Sequence, residues 1–275
     1  MRRWKLAATL TALAVGASAP AQTVTLTLDS PQAGQTVPAG GTIQWSIFFT
    51  VSTGDNQGLA LLAVDLVQDP GNPATLDIPP AEGVPPAMSN FSRPAGISNP
   101  GETDPLTGYI GVQRGAAGAK NLVQIGGGQN TFGQALPPGS GIAENAVVAG
   151  GVGQSGPVLL ASGSFAAPGT RGLYTFRLAN AVANVLEQVN SPPNFSPVVE
   201  AAVDTAAGAF SVTVGVQGDV DGDGDVDLSD LALLLAAYGS SSGEPAYNPD
   251  ADLDSDGDVD LADLALLLAN YGFGG

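Results

Sequence analysis

Two aspartate-rich stretches carry the most specific chemistry in this chain. Asp219 to Asp230 reads Asp-Val-Asp-Gly-Asp-Gly-Asp-Val-Asp-Leu-Ser-Asp, and Asp252 to Asp263 repeats it. Between Asp219 and Tyr238 the copies differ only at 220, 222, 229 and 237, where the second has Leu253, Ser255, Ala262 and Asn270. Each copy sets carboxylates at loop positions 1, 3, 5, 9 and 12, with Gly224 or Gly257 at position 6. Calcium is a hard cation that takes six to eight oxygens, and this is the ligand spacing of a twelve-residue calcium loop. Such a loop must turn sharply at position 6, where glycine meets no steric penalty. Two calcium ions are therefore expected. The first takes Asp219, Asp221, Asp223, the carbonyl of Asp225, and Asp230; the second takes Asp252, Asp254, Asp256, the carbonyl of Asp258, and Asp263. Asp227 and Asp260, at position 9, act through water. A merely solvated acidic run would need neither the repeated spacing nor glycine twice at the turn.

The flanking residues indicate what holds these loops. Leu231, Leu234, Leu235 and Tyr238 lie at i, i+3, i+4 and i+7, one apolar face of a helix that stops at Gly239. Leu264, Leu267, Leu268 and Tyr271 repeat the pattern up to Gly272. Before the first loop, Phe210, Val212, Val214 and Val216 alternate as in a strand, so no helix enters it.

A calcium loop with only an exiting helix, Asp rather than Glu at position 12, and a tandem pair together resemble a type I dockerin, a module of EF-hand-type repeats. The resemblance covers 217–275. It implies a calcium-folded module that plugs a secreted protein into a cohesin domain on another protein. That cohesin partner is implied by the resemblance, whereas the spacing alone implies only calcium. Dockerins of cellulosomes usually carry hydroxyl residues at loop positions 10 and 11. Here these are Leu228-Ser229 and Leu261-Ala262, which implies a more apolar contact. Leu233 and Leu266 lie off the core stripe and are further candidates for a partner patch. The competing reading is that so small a module uses every leucine for its core.

Composition removes several function classes. There is no Cys and no His, which excludes disulfides, thiol catalysis, Cys/His zinc sites and any mechanism needing imidazole. Eight basic residues face 26 acidic ones, and Arg2, Arg3 and Lys5 lie in the first few residues. Residues 217–275 hold 14 acids and no Lys or Arg, so nucleic acid is not an expected partner.

Residues 1–21 read as a secretory signal peptide: a charged start, an apolar run from Leu6 to Val15, and the small-residue site Ala19-Pro20-Ala21. A secreted, extracellular bacterial protein is expected, where calcium is abundant. No segment has 18 apolar residues in a row, so no transmembrane helix is expected.

From 22 to 216 the pattern is β. Val24, Leu26 and Leu28 alternate with threonines, and Ile43, Trp45, Ile47, Phe49 and Val51 form a longer period-2 run. Leu62, Val64 and Leu66, then Tyr174, Phe176 and Leu178, follow the same rule. The expected fold class is mainly β: an antiparallel β-sandwich, jelly-roll or cohesin-like, followed by a small α-helical calcium-binding module. Nine prolines between Pro70 and Pro105 indicate a long irregular excursion, and the glycine-rich stretches 115–128 and 139–156 read as loops. The opening Val-Thr-Leu-Thr-Leu and the later Leu-Ala-Leu-Leu-Ala-Val-Asp-Leu-Val are similar to the start of cohesin-like sandwiches, and would also suit a carbohydrate-binding module.

No catalytic residue stands out. A glycosidase needs two facing carboxylates, and the body offers Asp29, Asp55, Asp65, Asp69, Asp77, Glu82, Glu102, Asp104, Glu144, Glu187, Glu200 and Asp204, none in a distinguishing motif. Trp45 and Tyr174 could line a sugar platform, but both alternate with core residues, which favours burial. The reading is a secreted, non-catalytic, calcium-dependent docking protein with a presented or adhesive sandwich. The alternative is a polysaccharide-degrading enzyme, an O-glycosyl hydrolase, carrying a dockerin tag. A third is that the repeats only stabilise the chain.

Overall fold

The computed structural model describes residues 22–92, 111–134, 147–254 and 256–274. The proposed leader, Glu102, Asp104, Glu144 and parts of the proline-rich and second glycine-rich stretches lie outside them. The alternating runs form strands: β1 (Thr23–Asp29), β3 (Thr42–Val51), β4 (Leu59–Gln68), β9 (Gly172–Leu186) and β11 (Ala209–Val214). Six more lie among the described residues of the body: β2 (Thr36–Val37), β5 (Phe91–Ser92), β6 (Val112–Arg114), β7 (Asn121–Gln129), β8 (Val158–Ala166) and β10 (Val198–Ala207). Two helices follow, α1 (Leu228–Ala237) and α2 (Leu261–Asn270). The fold is mainly β with a small helical C-terminal part.

The strands form one curled sheet in the order β5-β7-β4-β9-β10-β1-β3-β8, with β11 on β9, β2 on β11 and β6 on β7. The curl folds it into two layers. β10 passes between them: Val198 to Ala201 pair with β9, and from Ala202 onward it pairs with β1. The inner faces meet in one core that includes Leu26, Ile43, Ile47, Leu62, Leu66 and Val212. Phe165 of β8, Phe176 of β9 and Phe210 of β11 run across it, with ring centroids 4.9 and 5.3 Å apart. Trp45 and Tyr174 are buried as the alternation implied. The Trp45 indole lies over Gly163, where a Cβ would come within 2.7 Å of the ring.

Two expectations are corrected. The sheet is not wholly antiparallel, because β1 pairs with β10 and β2 with β11 in parallel. The body's last two strands return beside its first two with most of the chain between them, so no hairpin dictates their direction. The stretch 115–128 is not all loop, since β7 occupies its second half. The glycines there serve close approach rather than a turn. A Cβ on Gly126 (φ 128°) would lie 2.0 Å from the carbonyl oxygen of Leu62 on β4. Between Pro70 and Phe91 the chain is irregular apart from one 3-10 turn at Pro86–Met88.

Asp65 holds the middle of the sheet together. Among the described residues, Gln124 (φ 55°) and Asn180 (φ 50°) are the non-glycine positions in the left-handed region. One sits in β7 and the other in β9, the two neighbours of β4, and the register of β4 slips against both close to Asp65. The Asp65 Oδ1 accepts the Gln124 N–H at 2.8 Å, and Oδ2 accepts the Asn180 side-chain amide at 2.8 Å. A single carboxylate thus pins two bulges that would otherwise lose ladder bonds. Asp65→Ala is expected to destabilise the body by about 1–3 kcal/mol, the usual cost of unsatisfied backbone groups. Thermal unfolding of the full chain checks it, with Glu200→Ala as an exposed-carboxylate control.

Candidate metal centre

The acidic loops begin just after β11. Gly215 N–H still bonds Val37 O on β2, and Asp219 N–H bonds Val216 O, so the chain turns directly from sheet into the first loop. Within each loop, carboxylates close successive turns. Asp219 Oδ1 accepts Gly222 N–H (2.7 Å) and its Oδ2 accepts Gly224 N–H (3.1 Å), the glycine at position 6 with φ 101°. Asp252 Oδ2 likewise accepts Gly257 N–H at 3.1 Å.

Position 12 is the hub. Asp230 is fully buried; its Oδ1 accepts the N–H groups of Val220 (2.6 Å) and Asp221 (3.1 Å), and its Oδ2 accepts Asp227 N–H at 2.8 Å. Asp263 repeats this with Leu253, Asp254 and Asp260 at 2.6, 3.3 and 2.7 Å. Asp227 and Asp260 are the N-caps of the helices, accepting Ser229 N–H and Ala262 N–H, each at 2.6 Å. With Asp at the third helical position, each forms a reciprocal capping box. That role is readable in the Asp-x-x-Asp spacing, beside the water-mediated contact expected at position 9.

Among the described residues, four carboxylate groups gather, with one oxygen of each member within 4.8 Å of the others: Asp219/Asp221/Asp230, Asp225/Asp227/Asp230, Asp252/Asp254/Asp263 and Asp258/Asp260/Asp263. Asp223 and Asp256 belong to none of them. Their Oδ1 atoms instead accept Asp225 and Asp258 N–H at 3.1 Å. Asp225 Oδ1, Asp252 Oδ1 and Asp258 Oδ1 are buried without a hydrogen-bond donor. Orphaned anionic oxygens in a wholly oxygen donor set, with no imidazole or thiolate in the chain, fit a hard divalent cation such as calcium.

Crowding is written into the acidities. The Asp221 and Asp225 carboxyls are raised first by desolvation and then, among other causes, by the charge of Asp223. Asp254 is raised by desolvation and by Asp256, and Asp258 chiefly by Asp256. Tyr247 donates to Asp252 Oδ2 at 2.6 Å, and that bond, followed by desolvation, pushes its hydroxyl up to about 12.

The two loop–helix units exchange matching backbone bonds. Gly239 N–H after α1 bonds Val259 O in the second loop (2.7 Å), and Gly272 N–H after α2 bonds Val226 O in the first (2.8 Å). Val259 N–H returns to Ser240 O and Val226 N–H to Phe273 O, at 2.9 and 3.0 Å. Each loop is therefore clamped by the end of the other helix.

Residues 217–271 match the dockerin type I domain. No curated protein matches the chain. Among solved structures, the seventh ScaB type I cohesin from Pseudobacteroides cellulosolvens is similar at 12% identity, covering 70% of this chain and 92% of its own, with a TM-score of 0.37. The cohesin module of a Clostridium perfringens family 33 glycoside hydrolase is similar at 9% identity, covering 65% and 96%, with a TM-score of 0.29. A chain of the CaDoc0917–CaCohA2 complex is similar at 12% identity, covering 70% and 99%, with a TM-score of 0.33.

The core of the C-terminal module differs from the expected stripe. Leu234 and Leu267 are buried, with Val220, Val226, Ala237, Ala251 and Val259, and Leu231 and Leu264 pack against them. Leu235, Tyr238, Leu268 and Tyr271 are exposed. The reason is the phase set by position 12. Asp230 must face the loop, so residues four and seven further on, Leu234 and Ala237, also face inward. Leu235 and Tyr238 are turned out of that face.

In the body, several of the described carboxylates serve local structure. Asp69 closes onto Gly71 N–H, Asp77 accepts Lys120 N–H, Glu82 takes the Ser164 hydroxyl, and Asp204 accepts Ala206 N–H. Among the described residues no helix is long and apolar enough to cross a membrane.

Carboxyls held above their ordinary value of 3.8 favour the folded module while protonated. That contribution is complete below the unfolded value and is lost as pH rises through the raised folded values. In chelator, the module is expected to be more helical near pH 4 than at pH 7, and calcium at pH 7 should restore the helix. Circular dichroism at 222 nm across pH, with and without calcium, checks it.

Proposed function

We propose that this chain is a secreted, non-catalytic calcium-binding protein whose dockerin module attaches it to a cohesin-type domain, leaving the β body as the presented part. The proposed division is a leader at 1–21, a β domain at 22–216 and the docking module at 217–275. Two calcium ions are proposed. Asp219, Asp221, Asp230 and the Asp225 carbonyl would hold one, and Asp252, Asp254, Asp263 and the Asp258 carbonyl the other, with Asp223 and Asp256 joining after a side-chain turn. Calcium would supply the positive charge that lets the crowded carboxylates stay ionised and close.

The observation that carries this reading is the outward face of the helices. Each helix has a single charged residue, the buried Asp230 or Asp263, in a module otherwise dense with carboxylates. Opposite that aspartate, Leu228 and Leu235 are 66% and 53% exposed, and Leu261 and Leu268 are 66% and 54% exposed. Ala232 and Ala265 lie between them on the same helical face. An uncharged, leucine-bearing strip presented twice is what a protein surface, rather than solvent, stabilises. Leucines at loop position 10 make this contact more apolar than one built on hydroxyl residues.

At a calcium concentration a hundredfold above the dissociation constant, each ion is expected to stabilise the module by about 2.7 kcal/mol. A chelator-sensitive melt of the C-terminal part checks this, beside a body transition indifferent to chelator. The docking face is tested by paired charges, Leu228→Asp with Leu235→Asp, and Leu261→Asp with Leu268→Asp. Titration calorimetry against a type I cohesin module should show either pair alone retaining binding and the four together abolishing it. Loss of calcium-induced helix in either pair would return those leucines to the core and remove the docking reading. Release of sugars from a polysaccharide panel by the native chain would favour the hydrolase instead.

A further inference from the structure

The two calcium loops are near-copies in sequence, yet the donors behind their first carboxylates differ. In the second loop, Asp252 Oδ2 is backed by Tyr247, a neutral donor from the module itself. In the first, the donor is a cation from the β body. Arg171 reaches over from the bend before β9, its Nη1 lying 3.0 Å from Asp219 Oδ2 and its Nη2 donating to Asp219 O at 2.6 Å. The Asp219 side chain is only 2% exposed, so this pair is held out of most of the solvent on the acidic side.

The surroundings are shaped for that arm. The buried Tyr174 donates from its hydroxyl to Thr170 O at 2.7 Å, tying the residue before Arg171 to the core. Position 4 of the first loop is Gly222, and a Cβ there would lie 2.8 Å from Arg171 Nη1. The second loop has Ser255 at that position, one of the four differences between the repeats. Arg171 is also one of only five basic residues beyond the first five positions, in a chain with 26 acids.

We propose that Arg171 is a calcium-sensitive clasp between the β body and the first loop, and that it makes the first calcium site the weaker of the two. The inference rests on the reading of the loops as calcium sites. Guanidinium and calcium draw on the same carboxylate, one at Oδ2 and one through its remaining lone pairs, and the two cations repel across it. Arg171 also relieves carboxylate repulsion in the unloaded loop, which lowers the gain from calcium. Both effects have the same sign. By reciprocity, calcium at the first site weakens the hold of the body on the module by the factor by which the clasp weakens calcium binding. Calcium loading would thus loosen the hold of the body on the module as it folds the docking face.

The test uses the full chain and calcium alone, by titration calorimetry. Asp254→Asn with Asp256→Asn leaves the first site and Asp221→Asn with Asp223→Asn leaves the second, both keeping the buried Asp230 and Asp263 that close the loops. Adding Arg171→Met should tighten the first site at least about fivefold, a typical coupling between sites, and leave the second within about twofold. An unchanged or weakened first site, or equal tightening of both, overturns the clasp. Small-angle X-ray scattering of chains with all loop ligands intact gives a second readout. In chelator, Arg171→Met should be the more extended of the two chains. Equal dimensions of the two chains in chelator overturn the clasp while leaving calcium binding standing. Absence of any calcium binding by the native chain overturns both.

Discussion

Each carboxylate at the end of a loop, Asp230 and Asp263, accepts three backbone N–H groups while fully buried. A buried anion is costly unless it is hydrogen-bonded and paired with positive charge. Here the N–H groups at the helix start and at the loop entrance supply part of that compensation, and they include the N-cap backbone. The same interaction therefore closes the loop, starts the helix and sets its rotation. Everything outward-facing follows from it, including the exposure of Leu228, Leu235, Leu261 and Leu268. A side chain one methylene longer at this position would need a different loop closure.

The β body solves a different problem, that of curling a sheet into two layers without breaking it. Bulges and glycines absorb the curvature at defined points. Asp65 pins two of the irregularities, and Gly126 lets β7 approach β4 where no side chain would fit. β10 then carries hydrogen bonding from one layer to the other. The body ends in a strand that runs within a few residues into the first acidic loop, which is why a residue of the body can reach that loop at all.

The acidic loops and the alternating strands were legible because both are local patterns. Carboxylates at fixed spacing around a glycine, and apolar residues at period 2, carry their meaning within a dozen residues. The capping boxes were equally local but were masked by the stronger metal pattern over the same residues. β7, β8 and β10 carry little alternation, because glycine, alanine and serine stand at many of the positions where branched residues mark a strand. β7 lies flush against a neighbour, and β10 is largely exposed. Nor does alternation show direction, so the parallel pairing of the first and last strands could not be read.

By itself the sequence determined the repeat, its oxygen-only donor set, the mainly β body with a short helical part behind it, and the burial of Trp45 and Tyr174. These depend on residue type and on spacing along the chain. Tertiary structure alone decided which leucines of each helix face outward, because a buried aspartate, not the densest apolar stripe, sets the helix phase. It alone also decided that Asp65 serves as a clamp and that Arg171 meets Asp219, 48 residues away. No periodicity encodes such meetings, because they arise only when separate elements are folded against one another.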